Sequence, residues 1–155
     1  MLHVVLFQPE IPHNTGAIGR LCLATQARLH LIRPLGFTLD DKHLKRAGLD
    51  YWQEVDLRVW DSWDALRAQL PAATAVHFIE CHGSTDYWGA DLAQEEVCLV
   101  FGPETRSIPP SIIATERCLR IPMHGTRSLN LATAAGIVMY EALRQRAHAG
   151  IGIAS

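Results

Sequence analysis

The stretch IPMHGTRSLNLATAAG, residues 121–136, reads as the end of a strand, a loop and the mouth of a helix. Ile121 closes a short apolar run that opens at Cys118, and Pro122 and Gly125 punctuate the loop. From Ser128 onward the chain is rich in alanine and aliphatic residues, and the spacing predicts a helix over residues 128–147. Ser128 can cap that helix. Asn130 would then fall inside the first turn, where a helix former is preferred, and Arg127 adds a fork of donors. A helix start gathers backbone N–H groups without intrahelical partners, which suits a polar or anionic ligand. No His or Asp stands in the pattern to make the serine a nucleophile, so the cluster points to binding rather than to covalent catalysis.

Outward from this stretch, strands and helices alternate. Apolar runs at Leu2–Phe7, Leu29–Ile32, Leu57–Trp60, Ala75–Ile79, Val97–Phe101 and Cys118–Ile121 read as strands. Asn14 or Thr15 can cap a helix that carries Ile18, Leu21, Cys22 and Thr25 at helical spacing. Further helices are expected over residues 39–47, stopped by Gly48, and from a cap at Asp61 or Ser62 to Leu70, ended by Pro71. A short one is expected over residues 111–115 after Pro109-Pro110. This alternation predicts a single α/β domain over residues 1–155, with a mainly parallel sheet and helices on both faces. Ligands of such sheets sit beyond the carboxyl ends of the strands. The loops after Ile79 (ECHGSTD), Phe101 (GPETRSIPP) and Ile121 (PMHGTRS) are therefore the ones to watch.

Composition narrows the class of function. The chain is 48% hydrophobic and 19% charged, with a formal net charge of −2, so any nucleic-acid contact must come from a local basic patch. Lys42, Lys45 and Arg46 lie at helical spacing and are candidates for phosphate contacts; a solvated helix face is the plain alternative. The four cysteines are scattered, as buried thiols in a reducing compartment would be. Pro9 and Pro12 interrupt the N-terminal apolar run too early for a signal peptide, and no run approaches the ~18 apolar residues of a membrane span. A cytoplasmic protein with no membrane partner is expected. Among the eight histidines, His77 and His82 cluster with Cys81, but no fourth ligand is spaced to complete a zinc site, and no metal is expected. His13 and His124 fall in loops near the expected site.

Two more motifs carry chemistry. In FGPETRSIPP, residues 101–110, Gly102 directly after a strand lets a ligand approach the backbone, and Glu104 offers a carboxylate at the sheet edge. In NTGAIGR, residues 14–20, Gly16 and Gly19 clear one side of a helix start and Arg20 follows. Neither G-x-G-x-x-G after the first strand, nor G-x-x-x-x-G-K-[ST], nor G-x-S-x-G is present, which weakens dinucleotide-binding, P-loop and α/β-hydrolase readings.

In this order, NTG-x-x-x-R, FGPE and IPM…RSLNLATA resemble the three motifs of the SPOUT superfamily of RNA methyltransferases. The likeness is greatest to its single-domain branch, which methylates the ribose 2′-hydroxyl of the tRNA wobble nucleotide. GFTLDDKHLKRAGLDYW, residues 36–52, also looks like that branch. The resemblance implies a deep C-terminal trefoil knot whose loops form an S-adenosylmethionine pocket, with S-adenosylhomocysteine as product. Ile79, Gly102, Ile121, Ser128 and Leu129 would line the cofactor. Arg20, Ser128 and Asn130 would carry catalysis, with Arg20 beside the target nucleotide, and Glu104 would orient Arg20 or brace the loops. Glu80 could pair with the cofactor or face water. The implied substrate is cytidine or 5-modified uridine at the wobble position, with leucine tRNAs expected. Another tRNA position, ribosomal RNA, or a non-catalytic knotted RNA-binding module are the alternatives. Ala132, Ala135, Gly136, Met139 and Leu143 form a stripe along the last helix. It can pack on its own sheet, whereas the resemblance implies a homodimer through this helix.

Overall fold

A computed structural model describes residues 1–40, 50–114 and 116–152. Seven strands form one sheet among them: β1 (Leu2–Phe7), β2 (Arg28–Ile32), β3 (Leu57–Trp60), β4 (Ala75–Ile79), β5 (Thr85–Asp86), β6 (Val97–Phe101) and β7 (Arg117–Arg120). Their order is β3-β2-β1-β6-β4-β7-β5, and every pair runs parallel. The central strands LHVVLF and VCLVF are buried at every position, as a parallel strand covered on both faces must be. The helices are α1 (Pro12–Thr25), α2 (Trp63–Arg67), α3 (Pro110–Ile113) and α4 (Leu131–His148). Ile18 and Cys22 of α1 and Ala135, Val138 and Met139 of α4 pack with Val4, Leu6 and Leu99 on one face. Trp63 and Leu66 of α2 pack with Val5, Phe78 and Val100 on the other, joined by Ile112 and Ile113 of α3. Burial pushes the Cys22 thiol up to about 12, so it is a packing group rather than a reactive one.

Most expected elements form, and their ends differ for physical reasons. Neither Asn14 nor Thr15 caps α1. The helix starts earlier, with Pro12 in its first turn and Ile11 as an N-cap whose side chain makes no capping bond. Proline's fixed φ suits the first helical turn, so the fold exploits Pro12 where the sequence suggested only punctuation. Ser128 does not cap the last helix either. Asn130 does, its Oδ1 accepting from the backbone N–H of Ala132 (3.0 Å) and Thr133 (3.2 Å). Ser62 caps α2 as expected, but the helix ends at Arg67 rather than Leu70. The short edge strand β5 gave no periodic signal, being only Thr85–Asp86. Of the helix expected over residues 39–47, all but Leu39 and Asp40 lies outside the described residues.

A polar chain with two buried imidazoles at its centre runs across the strands, from Glu96 just before β6 through His3 of β1 and His30 of β2 to Trp60 at the end of β3. Trp60 Nε1–H donates to His30 Nδ1 at 2.9 Å. An indole nitrogen can only donate, so His30 Nδ1 is an acceptor and its proton sits on Nε2. That Nε2 lies 3.0 Å from His3 Nδ1, and His3 Nε2 lies 3.0 Å from Glu96 Oε2. Both imidazoles are thereby neutral, each with a fixed tautomer. Burial lowers His3 and holds His30 down to about 3. In the unfolded chain both protonate near the ordinary value of about 6.5. Their contribution to stability is therefore complete above about pH 6.5 and is lost as pH falls toward about 3. The urea midpoint should drop between about pH 7.5 and pH 5, and less steeply in His30→Gln. An equal pH slope in that variant would place the acid sensitivity elsewhere.

Candidate functional site

Because β6, β4 and β7 are neighbours, the loops after Phe101, Ile79 and Arg120 rise side by side at the carboxyl edge of the sheet. They enclose a cavity of about 810 Å³. Ile79, Gly102, Ile121, Ser128 and Leu129 all line it, together with Glu104 and Asn130. Residues that lie up to 51 positions apart in the chain are thus brought to one wall, as the sequence reading required. Arg20 is not part of that wall. It is exposed on α1, with its guanidinium carbon 5.5 Å from the centroid of the Tyr51 ring. Lys42, Lys45 and Arg46 lie outside the described residues.

A continuous hydrogen-bonded chain holds the cavity's mouth. Asn130 caps α4 through Oδ1, and its Nδ2 donates to Asn14 Oδ1 at 3.0 Å. Asn14, itself buried, donates through Nδ2 to Glu104 Oε1 at 3.3 Å. Glu104 also accepts from the backbone N–H of Glu10 (2.8 Å) and Ile11 (3.1 Å) just before α1. Its negative charge faces the positive end of the helix dipole. Three segments far apart in sequence are locked by one carboxylate and two amides. Glu104 therefore braces the loops; no bond to Arg20 is present. Asn14, read from sequence as a cap and as the first residue of the NTG motif, is the link, and nothing in its spacing signals the side chains it joins.

Glu80 is half-buried and lines the cavity. Its Oε1 accepts from the backbone N–H of Ile108 at 2.7 Å, tying the β4 loop to the end of the β6 loop. Between them passes Gly102, where an added Cβ would lie 3.1 Å from both Glu80 Oε1 and Ile108 Cγ1. The missing side chain at residue 102 lets the two loops approach without either neighbour having to give. Thr105 Oγ1 donates to Glu10 Oε2 at 2.8 Å, and Arg106 Nη2 donates to Gln8 Oε1 at 3.0 Å. The β1–α1 turn is thus strapped from the same loop. The cavity wall offers aliphatic surface from Ile79, Ile121 and Leu129, a bare backbone at Gly102, and polar groups from Arg127 and Ser128 at its mouth. That set fits a nucleoside cofactor held through its base and backbone contacts; it offers no glycine-rich pyrophosphate cradle. Among the described residues, no three His, Cys, Asp or Glu side chains are grouped to hold a metal ion.

A parallel α/β sheet whose C-terminal loops enclose a nucleoside-sized cavity, with polar groups at a helix mouth, defines a ligand-binding protein of the doubly covered α/β class. Residues 1–140 match the SpoU rRNA methylase family, and the chain belongs to it. It is 46% identical over 154 residues to the tRNA (cytidine(34)-2′-O)-methyltransferase of Methylovorus glucosotrophus, covering 97% of this chain and 99% of that protein. A solved structure described for 2′-OH methylation of C/U34 on tRNA superposes with a TM-score of 0.89 at 48% identity, covering 96% of this chain and 97% of that one. The SpoU methyltransferase AviRb of Streptomyces viridochromogenes, solved with AdoMet, superposes with a TM-score of 0.80 at 26% identity, covering 96% of this chain and 61% of that one.

Removing the bracing carboxylate should loosen the site. Glu104→Ala leaves two backbone N–H groups and the Asn14 amide without an acceptor, a loss of about 2–4 kcal/mol in urea unfolding. Glu104→Gln, which keeps one acceptor oxygen, should fall between the two. A midpoint unmoved by Glu104→Ala would remove this chain of bonds from the account.

Proposed function

We propose that this protein transfers a methyl group from S-adenosylmethionine to the ribose 2′-hydroxyl of the wobble nucleotide of tRNA, cytidine 34 or a 5-modified uridine, with leucine tRNAs as substrates. The observation that carries this reading is the convergence of the loops after β4, β6 and β7 on one cavity, held by the chain from Asn130 through Asn14 to Glu104. The near-full-length identity to proteins named for this reaction supports it.

When bound, S-adenosylmethionine supplies a methyl group on a sulfonium and leaves as S-adenosylhomocysteine. Ile79, Gly102, Ile121 and Leu129 hold it by shape, and Ser128 orients its polar end or the acceptor ribose. Asn130 acts by fixing the loop that carries Ser128, since its Oδ1 caps α4 and its Nδ2 bonds Asn14. Arg20 binds the phosphate beside the target ribose and stabilises charge developing on the 2′-oxygen. We assign it no role as the base, because a guanidinium gives up its proton too reluctantly. The task is alignment and charge handling, so no covalent enzyme intermediate is needed. Lys42, Lys45 and Arg46 contact phosphates farther along the RNA.

Residues 1–155 form one methyltransferase domain whose C-terminal segment is threaded as a trefoil knot, working in the cytoplasm as a homodimer. Of the small-residue stripe of α4, Ala135, Met139 and Leu143 are buried in this chain's own core, while Ala132 and Gly136 are only half-buried. The helix has another face to offer a second copy, where Tyr140 is 54% exposed. Among the described residues, no helix is long and apolar enough to cross a membrane.

Labelled methyl from S-adenosylmethionine should enter tRNA lacking the wobble 2′-O-methyl group and map to nucleotide 34. Label at any other nucleotide would reject the target. Arg20→Lys should lose most turnover, because a lysine cannot offer a bidentate fork; near-normal turnover would reject a guanidinium-specific role. Replacing Lys42, Lys45 and Arg46 together should weaken tRNA binding and flatten its salt dependence while cofactor affinity stays unchanged. Unaltered tRNA affinity would remove them from the interface.

A further inference from the structure

The stretch over residues 36–52 ends in an aromatic pair, Tyr51-Trp52, on a short 3-10 turn (Asp50–Glu54) that lies against α1. Trp52 is buried over Gly19, where an added Cβ would stand 2.5 Å from its Cζ3. Tyr51 Oη donates to the backbone carbonyl of Gly16 at 2.8 Å. The Arg20 guanidinium carbon stands 5.5 Å from the centre of the same Tyr51 ring. Gly16, Gly19 and Arg20 are three and four positions apart, so all three contacts fall on one face of α1. The two glycines clear that face, and the aromatic pair occupies it.

We infer that Tyr51 is a positioning residue that aims the Arg20 guanidinium at the RNA. This rests on the role given to Arg20 above. A long arginine side chain loses rotamer entropy when it is fixed, so a group that restrains it beforehand makes its contact more effective. A carboxylate partner would restrain it too, but would neutralise its charge and occupy its N–H donors. A ring face attracts the cation through its π electrons and leaves the N–H edge open to phosphate oxygens. No carboxylate among the described residues pairs with Arg20. The Tyr51 hydroxyl, bonded to Gly16, keeps the ring from swinging away. Partial burial raises the pKa of that phenol, so it remains a neutral donor.

The experiment is a double-substitution cycle in the dimeric or monomeric protein as purified, read by single-turnover methyl transfer at saturating S-adenosylmethionine and tRNA. Tyr51→Leu should slow the step roughly three- to thirtyfold, with Tyr51→Phe retaining most of the rate because the ring remains. In an Arg20→Ala background, Tyr51→Leu should add nothing. The same slowing in both backgrounds would show that Tyr51 only supports the fold, and would overturn the inference. A second readout is the Arg20 Nε–H signal in NMR, shifted by the ring current. It should move in Tyr51→Leu and persist in Tyr51→Phe. A signal indifferent to Tyr51→Leu would reject the positioning role while leaving Arg20 in place. A signal that moves, with Arg20→Ala fully active, would instead reject the role of Arg20.

Discussion

The Glu104 carboxylate is the constraint on which the site depends. It reaches from the loop after β6 to the backbone in front of α1 and to the Asn14 side chain. Asn14 in turn holds Asn130, which begins α4. A carboxylate has room for about four acceptor contacts, and here two go to the backbone N–H groups of Glu10 and Ile11 ahead of α1 and one to the Asn14 amide. One negative charge thereby fixes the relative position of three loops. Glu80 repeats the device on the far side of the cavity, with Ile108 as its backbone partner. Both walls are built by acids that satisfy main-chain donors rather than by acids reserved for substrate.

This use of side chains explains how a cavity can form where the chain runs irregularly. Loops that leave parallel strands carry unpaired backbone groups, and burying them without partners is costly. The strand order sets the three loops side by side, and the two glutamates then supply the missing acceptors. Gly102 completes the arrangement, since any side chain there would press on Glu80 and Ile108. Sheet order, carboxylate placement and a bare backbone act together, and none is sufficient alone.

Much of the fold was legible because parallel strands buried on both faces read as unbroken apolar runs. VCLVF and LHVVLF are such runs, and β6 and β1 occupy those bounds. Helix starts were less legible, because a cap competes with neighbours invisible to local reading. Ser128 is a good cap by type, but Asn130 has a second amide partner in Asn14, and that tertiary bond decides where α4 begins. The cavity-lining residues were legible from motif order, whereas Asn14 and the Glu80–Ile108 bond were not, since each joins residues distant in sequence. The stripe on α4 was ambiguous for the same reason: small residues suit either a sheet or a second helix, and only packing shows that Ala135 and Met139 face inward.

The arginines of this chain divide by what holds them. Arg33 lies 2.9 Å from Asp61, Arg120 lies 2.7 Å from Asp86, and Arg106 lies 3.7 Å from Glu10. Their charge is already answered, and such exposed pairs add little stability. Arg20 and Arg127 make no ion pair among the described residues; the first rests on an aromatic face and the second on the cavity wall. In a protein with a net charge of −2, polyanion recognition cannot rest on bulk attraction. It has to come from the few cations whose donors remain open. A ring face can order a guanidinium without consuming its charge, which makes the pairing of Tyr51 with Arg20 suited to a surface that must meet phosphate.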